Sequence, residues 1–96
     1  MTNNTISPEK LEEIKVLFEK AKCELIDNEL NYDGCMLNEI LSEGANAITW
    51  HHDIEFDELP RDLVITCDDL HDEVWNSFDD VELIHEFINE FLDEFY

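Results

Sequence analysis

Apolar residues recur every three or four positions along most of the chain, which is the spacing of one buried face of an α-helix. The first series predicts an amphipathic helix over about residues 8–27. Ser7 and Pro8 favour a helix start at this point, because serine caps helices well and proline fits the first helical position. The apolar members of the series are Leu11, Ile14, Phe18, Ala21 and Leu25.

The middle of the chain predicts shorter elements. Residues 28–34 are predicted to form a loop, and residues 35–44 a short helix that Gly44 ends. Residues 45–59 are less regular. The segment DIEFDEL (53–59) alternates like a strand, but the chain offers it no obvious partner strand. We therefore interpret residues 45–59 as a helix or turn followed by an extended connection.

Two further helices are predicted in the last third of the chain. Residues 60–77 carry apolar side chains at helical spacing, and Pro60 is acceptable in a first helical turn. Three consecutive β-branched residues at 64–66 weaken this prediction, and Thr66 offers an alternative cap for a shorter helix that begins at residue 67. A second cap-like segment, SFDD (77–80), precedes the final helix, whose main apolar positions are Val81, Ile84, Ile88, Phe91 and Phe95.

With a length of 96 residues, these elements predict one helical domain, residues 1–96, with a flexible N-terminus at residues 1–6. The expected fold class is all-α: a small helical bundle of about four helices with a highly acidic surface. No apolar run approaches the ~18 residues of a membrane span, and no segment has the pattern of a signal peptide. We therefore expect a soluble protein of the cytoplasm.

The three cysteines, Cys23, Cys35 and Cys67, show no CxxC motif and no repeated spacing. Their odd number and scattered positions do not suggest a disulfide framework. For an intracellular chain, this pattern predicts reduced thiols packed in the core.

Charge is distributed very unevenly along the chain. The formal net charge is −21, and residues 1–22 contribute nothing to it because they hold four acidic and four basic side chains. Residues 23–96 hold 22 acidic side chains and a single basic one, Arg61. Such a charge repels nucleic acids and membranes and attracts basic partners. We therefore expect neither direct nucleic-acid binding nor membrane binding.

The sequence contains no complete catalytic or metal-binding motif. His51-His52-Asp53 lacks the paired ligand spacing of zinc sites, and HEFIN (85–89) has Asn89 where a metalloprotease helix needs its second histidine. DIEFDE (53–58) begins like a calcium-binding loop but has Glu58 at the position that requires glycine. We expect no metal, no cofactor and no enzymatic activity.

The most unusual feature is a row of glutamates four residues apart in the final helix: Glu82, Glu86, Glu90 and Glu94. Like charges at this spacing destabilise a helix by about 0.2–0.5 kcal/mol per pair, so the three pairs cost roughly 1 kcal/mol. Folding does not require such a row, which suggests a role outside the chain. Successive members rise about 6 Å along the helix, a spacing comparable to that of neighbouring phosphates on a DNA strand.

The sequence resembles the Ocr family of phage antirestriction proteins, which are DNA mimics. The similarity covers roughly residues 36–96 and rests on short segments. These segments are NEILSEG (38–44), DIEFDELPRDLVI (53–65), DDLHD (68–72), and Trp75 followed by ELIHEFINEFLDEFY (82–96).

The resemblance implies an all-helical dimer that imitates bent DNA and occupies the DNA groove of type I restriction–modification enzymes, thereby evading host defence. It also implies a place in the cytoplasm of the host cell. The residues expected to bind the partner are Asp68, Asp69, Asp72, Glu73, Asp79, Asp80, Glu82, Glu86, Glu90, Asp93 and Glu94.

A homodimer is also expected from the residues themselves. Phe91, Leu92, Phe95 and Tyr96 present more apolar surface near the C-terminus than one narrow helix stripe usually buries in a small monomer. Exposed apolar patches often mark interfaces.

Three other functions fit the same composition. One is an immunity-type protein that neutralises a single basic nuclease toxin, and another is an anti-CRISPR-type inhibitor. The third is an adaptor whose surface is merely acidic. The number of targets distinguishes a DNA mimic from an immunity protein, because a DNA mimic competes with DNA on several unrelated enzymes whereas an immunity protein binds one toxin.

Overall fold

The computed structural model describes residues 6–96, and this part of the chain contains helices and no strand. The predicted all-α class is therefore confirmed. The five α-helices are α1 (Pro8–Asp27), α2 (Gly34–Glu43), α3 (Asn46–His52), α4 (Arg61–Asn76) and α5 (Val81–Phe95), and a 3₁₀ turn, Phe56–Glu58, precedes α4. The prediction of about four helices was one too low. The extra helix is α3, which lies in the segment for which the sequence predicts a helix or turn.

Side-chain caps explain where three of the helices begin. Ser7 Oγ accepts a hydrogen bond from the Lys10 backbone N–H at 3.1 Å, as the sequence predicted for α1. Asp33 caps α2 in the same way, and Asp80 caps α5. A side-chain acceptor at a helix start satisfies a backbone N–H that has no partner within the helix.

The start of α4 decides between the two alternatives left open by the sequence. The helix begins directly after Pro60 and continues through residues 64–66, so the shorter helix starting at residue 67 is wrong. Thr66 does not act as a cap, because its hydroxyl donates to the carbonyl oxygen of Asp62 one turn earlier, at 2.9 Å. The β-branched residues 64–66 have weak helix propensity. The packing of the buried Leu63 and Thr66 outweighs this disadvantage.

The helices share one apolar core. Helix α4 packs against α1 and α2, and α2 also contacts α3 and α5. Helix α5 reaches α1 through Phe18 and Phe91, whose rings meet edge to face at 4.9 Å between centroids. The molecule is elongated, with extents of 44 × 21 × 20 Å. Within residues 6–96, no helix is both long enough and apolar enough to cross a membrane.

Only one of the three cysteines matches the prediction of core thiols. Cys67 is fully buried, whereas Cys23 and Cys35 are exposed, so the prediction was wrong for these two. Cys23 lies between Ala21 and Leu25, which face the core, and two residues along a helix turn a side chain to the other side. Cys35 lies in the first turn of α2, where the next residue begins the buried face.

The predicted flexible N-terminus spans residues 1–6, of which residues 1–5 lie outside the described residues. Ile6 is half-buried and packs against the core.

Candidate partner-binding surface

The acidic residues predicted to bind a partner lie on α4, on α5 and on the loop between these helices. Ten of the eleven are exposed, and Glu73 is half-buried. Four belong to α4 (Asp68, Asp69, Asp72 and Glu73), two to the loop (Asp79 and Asp80), and five to α5 (Glu82, Glu86, Glu90, Asp93 and Glu94).

The glutamate row winds around α5 rather than running parallel to its axis. Each step of four residues turns the helix by about 40° beyond one full turn, so the row turns by about 120° from Glu82 to Glu94. The row starts on the side opposite the buried Ile84 and Ile88 and ends close to the buried Phe91. The carboxylates therefore follow a curved path along the outside of the helix.

The acids of α5 have no basic partners within the part of the chain that the structure describes. The ion pairs there join lysines to Glu12, Glu13, Glu19 and Glu73, and histidines to Glu39 and Asp72. The lysines all belong to α1, which carries most of the basic residues of the chain. Within the described residues, no ion pair therefore offsets the charge of the acids of α5.

Glu73 differs from the rest of the predicted set. Its carboxylate pairs with the Lys10 ammonium across the contact between α1 and α4. The hydrogen bond to Glu73 raises the pKa of Lys10 above its ordinary value, with a further contribution from Glu13. Glu73 therefore contributes to helix packing, and its charge is not free for a partner.

Two more of the predicted acids have partners in the backbone. Asp68 Oδ1 accepts a hydrogen bond from the buried N–H of Ala45 at 3.1 Å, just before α3. Asp80 accepts from Glu82 N at 2.8 Å as the cap of α5. Sequence reasoning assigned both to partner binding because an exposed acid and a structural acid look alike in a charge pattern.

The aromatic residues near the C-terminus mostly pack within the chain. Phe91 is buried, and the ring of Phe95 lies 4.9 Å from it and beneath the Lys15 ammonium. With Phe87 these rings line a shallow groove of about 260 Å³ that Glu90 and Glu94 border. Tyr96, in contrast, is 61% exposed. Most of the apolar surface that suggested a homodimer is thus already covered within one chain.

A second group of reactive side chains lies away from these acids, between α2 and α3. Cys35, Glu39 and His51 each present a donor atom, and the three atoms lie within 4.8 Å of one another. Sequence reasoning missed this group because it weighed His51 together with its neighbour His52. The available signal was Cys35 and Glu39, four residues apart on one predicted helix, with a histidine following the next turn.

Comparison with known proteins assigns the chain to no family: no protein-family model matches it, and no curated protein or solved structure is significantly similar to it.

Proposed function

We propose that the protein is a DNA-mimic inhibitor that occupies the basic DNA-binding groove of a defence enzyme. A type I restriction–modification enzyme is the favoured target because of the sequence resemblance described above. The observation that carries the proposal is the exposed row Glu82, Glu86, Glu90 and Glu94, whose carboxylates form no ion pair within residues 6–96.

Linear charge density supports the proposal. B-form DNA carries one charge per about 1.7 Å of axis, so a 44 Å length holds about 26 charges. The protein has a long axis of 44 Å and a net charge of −21. Residues 1–5 hold no charged side chain, so every charged side chain counted in this net charge lies within the described residues. A groove adapted to duplex DNA would therefore meet a similar charge over a similar length.

The charges are distributed unevenly between the helices, because α1 carries both signs of charge whereas α4 and α5 are almost entirely acidic. The four lysines of the chain lie on α1, whereas α4, α5 and the loop between them carry all eleven predicted acids. Of these, Glu73 is paired with Lys10 and is excluded from the proposed surface. We propose that α5 and the neighbouring exposed acids of α4 form a highly acidic face that enters the groove, while α1 faces away from the target.

A homodimer remains part of the proposal, because two copies would lengthen the charged array. Its contact would have to use Tyr96 and other exposed apolar groups, since Phe91 is buried and Phe95 half-buried within the chain. Sedimentation equilibrium at tens of micromolar tests it directly, and a monomeric mass would contradict the dimer while leaving DNA mimicry intact.

Competition with DNA tests the function. A labelled duplex is bound to each of three purified proteins: a type I restriction–modification enzyme, an RNA-guided nuclease and a basic nuclease toxin. The protein is then titrated in at low and at high salt. We expect displacement of the duplex from the restriction enzyme, and weaker displacement at high salt because salt screens exposed charges.

Each other outcome has a definite meaning. Displacement from the RNA-guided nuclease alone would identify an anti-CRISPR-type mimic, and binding to the toxin alone would identify an immunity-type protein. No displacement from any of the three, or a ternary complex that still holds DNA, would contradict DNA mimicry of these enzymes.

A further inference from the structure

We propose that Cys35, Glu39 and His51 form a binding site for a divalent transition metal, with Zn²⁺ the best-suited ion. The proposal is independent of DNA mimicry, because none of the three residues belongs to the proposed acidic face. It departs from the expectation, drawn from the sequence, that the chain has no metal site.

The fold brings the three donors together from two helices. Cys35 and Glu39 are four residues apart on α2, so they lie on one face of that helix. His51 comes from α3, which returns past α2 after the turn at Gly44. His51 Nε2 lies 2.9 Å from Glu39 Oε1, and the Cys35 thiol donates to Glu39 Oε2 at 3.9 Å. The carboxylate is thus the centre of the group.

These separations are close to those of a tetrahedral zinc site. Bonds of about 2.0–2.1 Å to nitrogen or oxygen and about 2.3 Å to sulfur place neighbouring ligand atoms roughly 3.4–3.6 Å apart. The distances to Glu39, 2.9 Å from His51 to Oε1 and 3.9 Å from Cys35 to Oε2, lie on either side of this range. One donor atom from each of the three residues fits within 4.8 Å. Small side-chain rotations would therefore bring the donors around one ion.

The types of donor select the metal. A thiolate and an imidazole prefer Zn²⁺ and similar ions, whereas Mg²⁺ and Ca²⁺ prefer oxygen ligands alone. On binding, the metal would replace the Cys35 thiol proton and the hydrogen bond between Glu39 and His51. Three protein ligands leave one position for water, as in many zinc sites that are not purely structural.

The surroundings favour entry of a cation. The three side chains are reachable from solvent, since Cys35 and His51 are exposed and Glu39 is half-buried. The net charge of −21 also raises the local concentration of cations at the surface. A bound ion would join the N-terminal half of α2 to the C-terminal end of α3, more than one helical turn away from Gly44 on each helix.

Cobalt titration tests the site, because Co²⁺ takes the place of Zn²⁺ and is visible spectroscopically. The full chain is reduced and titrated with Co²⁺ in excess Mg²⁺, which occupies unspecific carboxylate sites. We expect one Co²⁺ per chain, a sulfur-to-cobalt charge-transfer band, the visible absorption of a tetrahedral site, and loss of both signals when Zn²⁺ is added.

Matched variants separate the site from the general acidity of the protein. Cys35→Ser, Glu39→Gln and His51→Gln should each weaken Co²⁺ binding by more than about tenfold, since even the loss of a residue that only supports a ligand has such an effect. The controls Cys23→Ser and His85→Gln remove an exposed thiol and an exposed histidine from other helices, and they should leave binding unchanged. Circular dichroism checks that each variant is folded.

A second measurement uses the native chain without substitution. Zn²⁺ should slow alkylation of Cys35 and leave that of Cys23 unaffected, as read by peptide mass spectrometry. Binding without a charge-transfer band, equal affinity in Cys35→Ser, or equal protection of both cysteines would overturn the proposal and identify an adventitious ion only.

Discussion

The carboxylate of Asp68 on α4 accepts a hydrogen bond from the backbone N–H of Ala45, at 3.1 Å. Ala45 is buried and directly precedes α3, so this N–H has little access to water. The contact holds the turn between α2 and α3 against α4. It gives a residue that the charge pattern assigned to a partner a role within the fold.

Asp68→Ala should therefore destabilise the protein by about 1–3 kcal/mol, because it leaves a buried donor without an acceptor. Asp68→Asn retains a side-chain oxygen at the same place and should cost clearly less, although it removes the same charge. Urea denaturation of both variants distinguishes the two effects. An equal loss of stability would mean that the charge, and not the hydrogen bond, is what matters.

Gly44→Ala should also be destabilising, by about 1–3 kcal/mol. Gly44 has φ 78° and ψ −154°, a backbone conformation that only glycine adopts readily. An added Cβ would also lie 2.8 Å from Asp68 Oδ1. The matched control is Gly34→Ala, where the nearest atom, Tyr96 Cε2, lies 3.8 Å from the added carbon and the residue is helical. That variant should keep or gain stability.

The two variants around this turn should not be additive. If the new Cβ collides with the Asp68 carboxylate, Gly44→Ala should cost less in the Asp68→Ala background than in the native chain. A double-mutant cycle by urea denaturation measures this coupling. Strict additivity would assign the whole cost of Gly44→Ala to its backbone conformation.

Cys67 should be unreactive in the folded protein. Burial raises the pKa of its thiol to about 12, with smaller contributions from the charges of Asp68 and Glu24. Since the thiolate is the nucleophile, iodoacetamide at neutral pH should label the exposed Cys23 and Cys35 and leave Cys67 unmodified until urea unfolds the chain. Mass spectrometry counts the labels, and rapid labelling of Cys67 in native protein would contradict this prediction.

The same thiol should make stability depend on alkaline pH. Between its ordinary value of about 9 and its folded value of about 12, the thiol is ionised in the unfolded chain but protonated in the folded one. The unfolded state then binds fewer protons, so the free energy of unfolding falls as pH rises through this window. Cys67→Ala should show a smaller fall between pH 8 and pH 10.5 in urea denaturation than the native chain does.

Much of the fold followed from local sequence signals. The bounds of α1 were predicted from a serine cap, a following proline and a regular apolar series, and each of these acts within a few residues. The segment containing α3 was harder, because its seven residues carry little apolar periodicity and its start depends on Asp68, 23 positions away. A local sequence pattern does not indicate such long-range contacts.

Long-range contacts limit the prediction of the candidate sites even more than that of the fold. Exposure of the glutamate row follows from helical periodicity and was predictable, whereas the pairing of Glu73 with Lys10 joins residues 63 positions apart. The meeting of Cys35 with His51 likewise depends on how α3 returns past α2. The sequence alone does not show which acids are already used within the fold.

The glutamate row gives the last prediction. Replacing Glu82, Glu86, Glu90 and Glu94 together by Gln retains side-chain size and nearly the same helix propensity. Since all four are exposed and three like-charge pairs disappear, the variant should be more stable by up to about 1 kcal/mol. Displacement of duplex DNA from a type I restriction–modification enzyme should weaken and lose part of its salt dependence, because four charges no longer imitate phosphates.

A matched control exists on α1, where Glu9, Glu12, Glu13 and Glu19 are also exposed. Replacing these four by Gln changes the net charge equally but leaves α5 intact, so it should have the smaller effect on DNA displacement. Equal losses in both variants would show that bulk charge alone drives binding. If the α5 variant gains stability and still displaces DNA as well as the native chain, the row is an ordinary solvated face. If it loses stability instead, the carboxylates support the fold. Thermal melts and one competition assay on the two variants separate these outcomes.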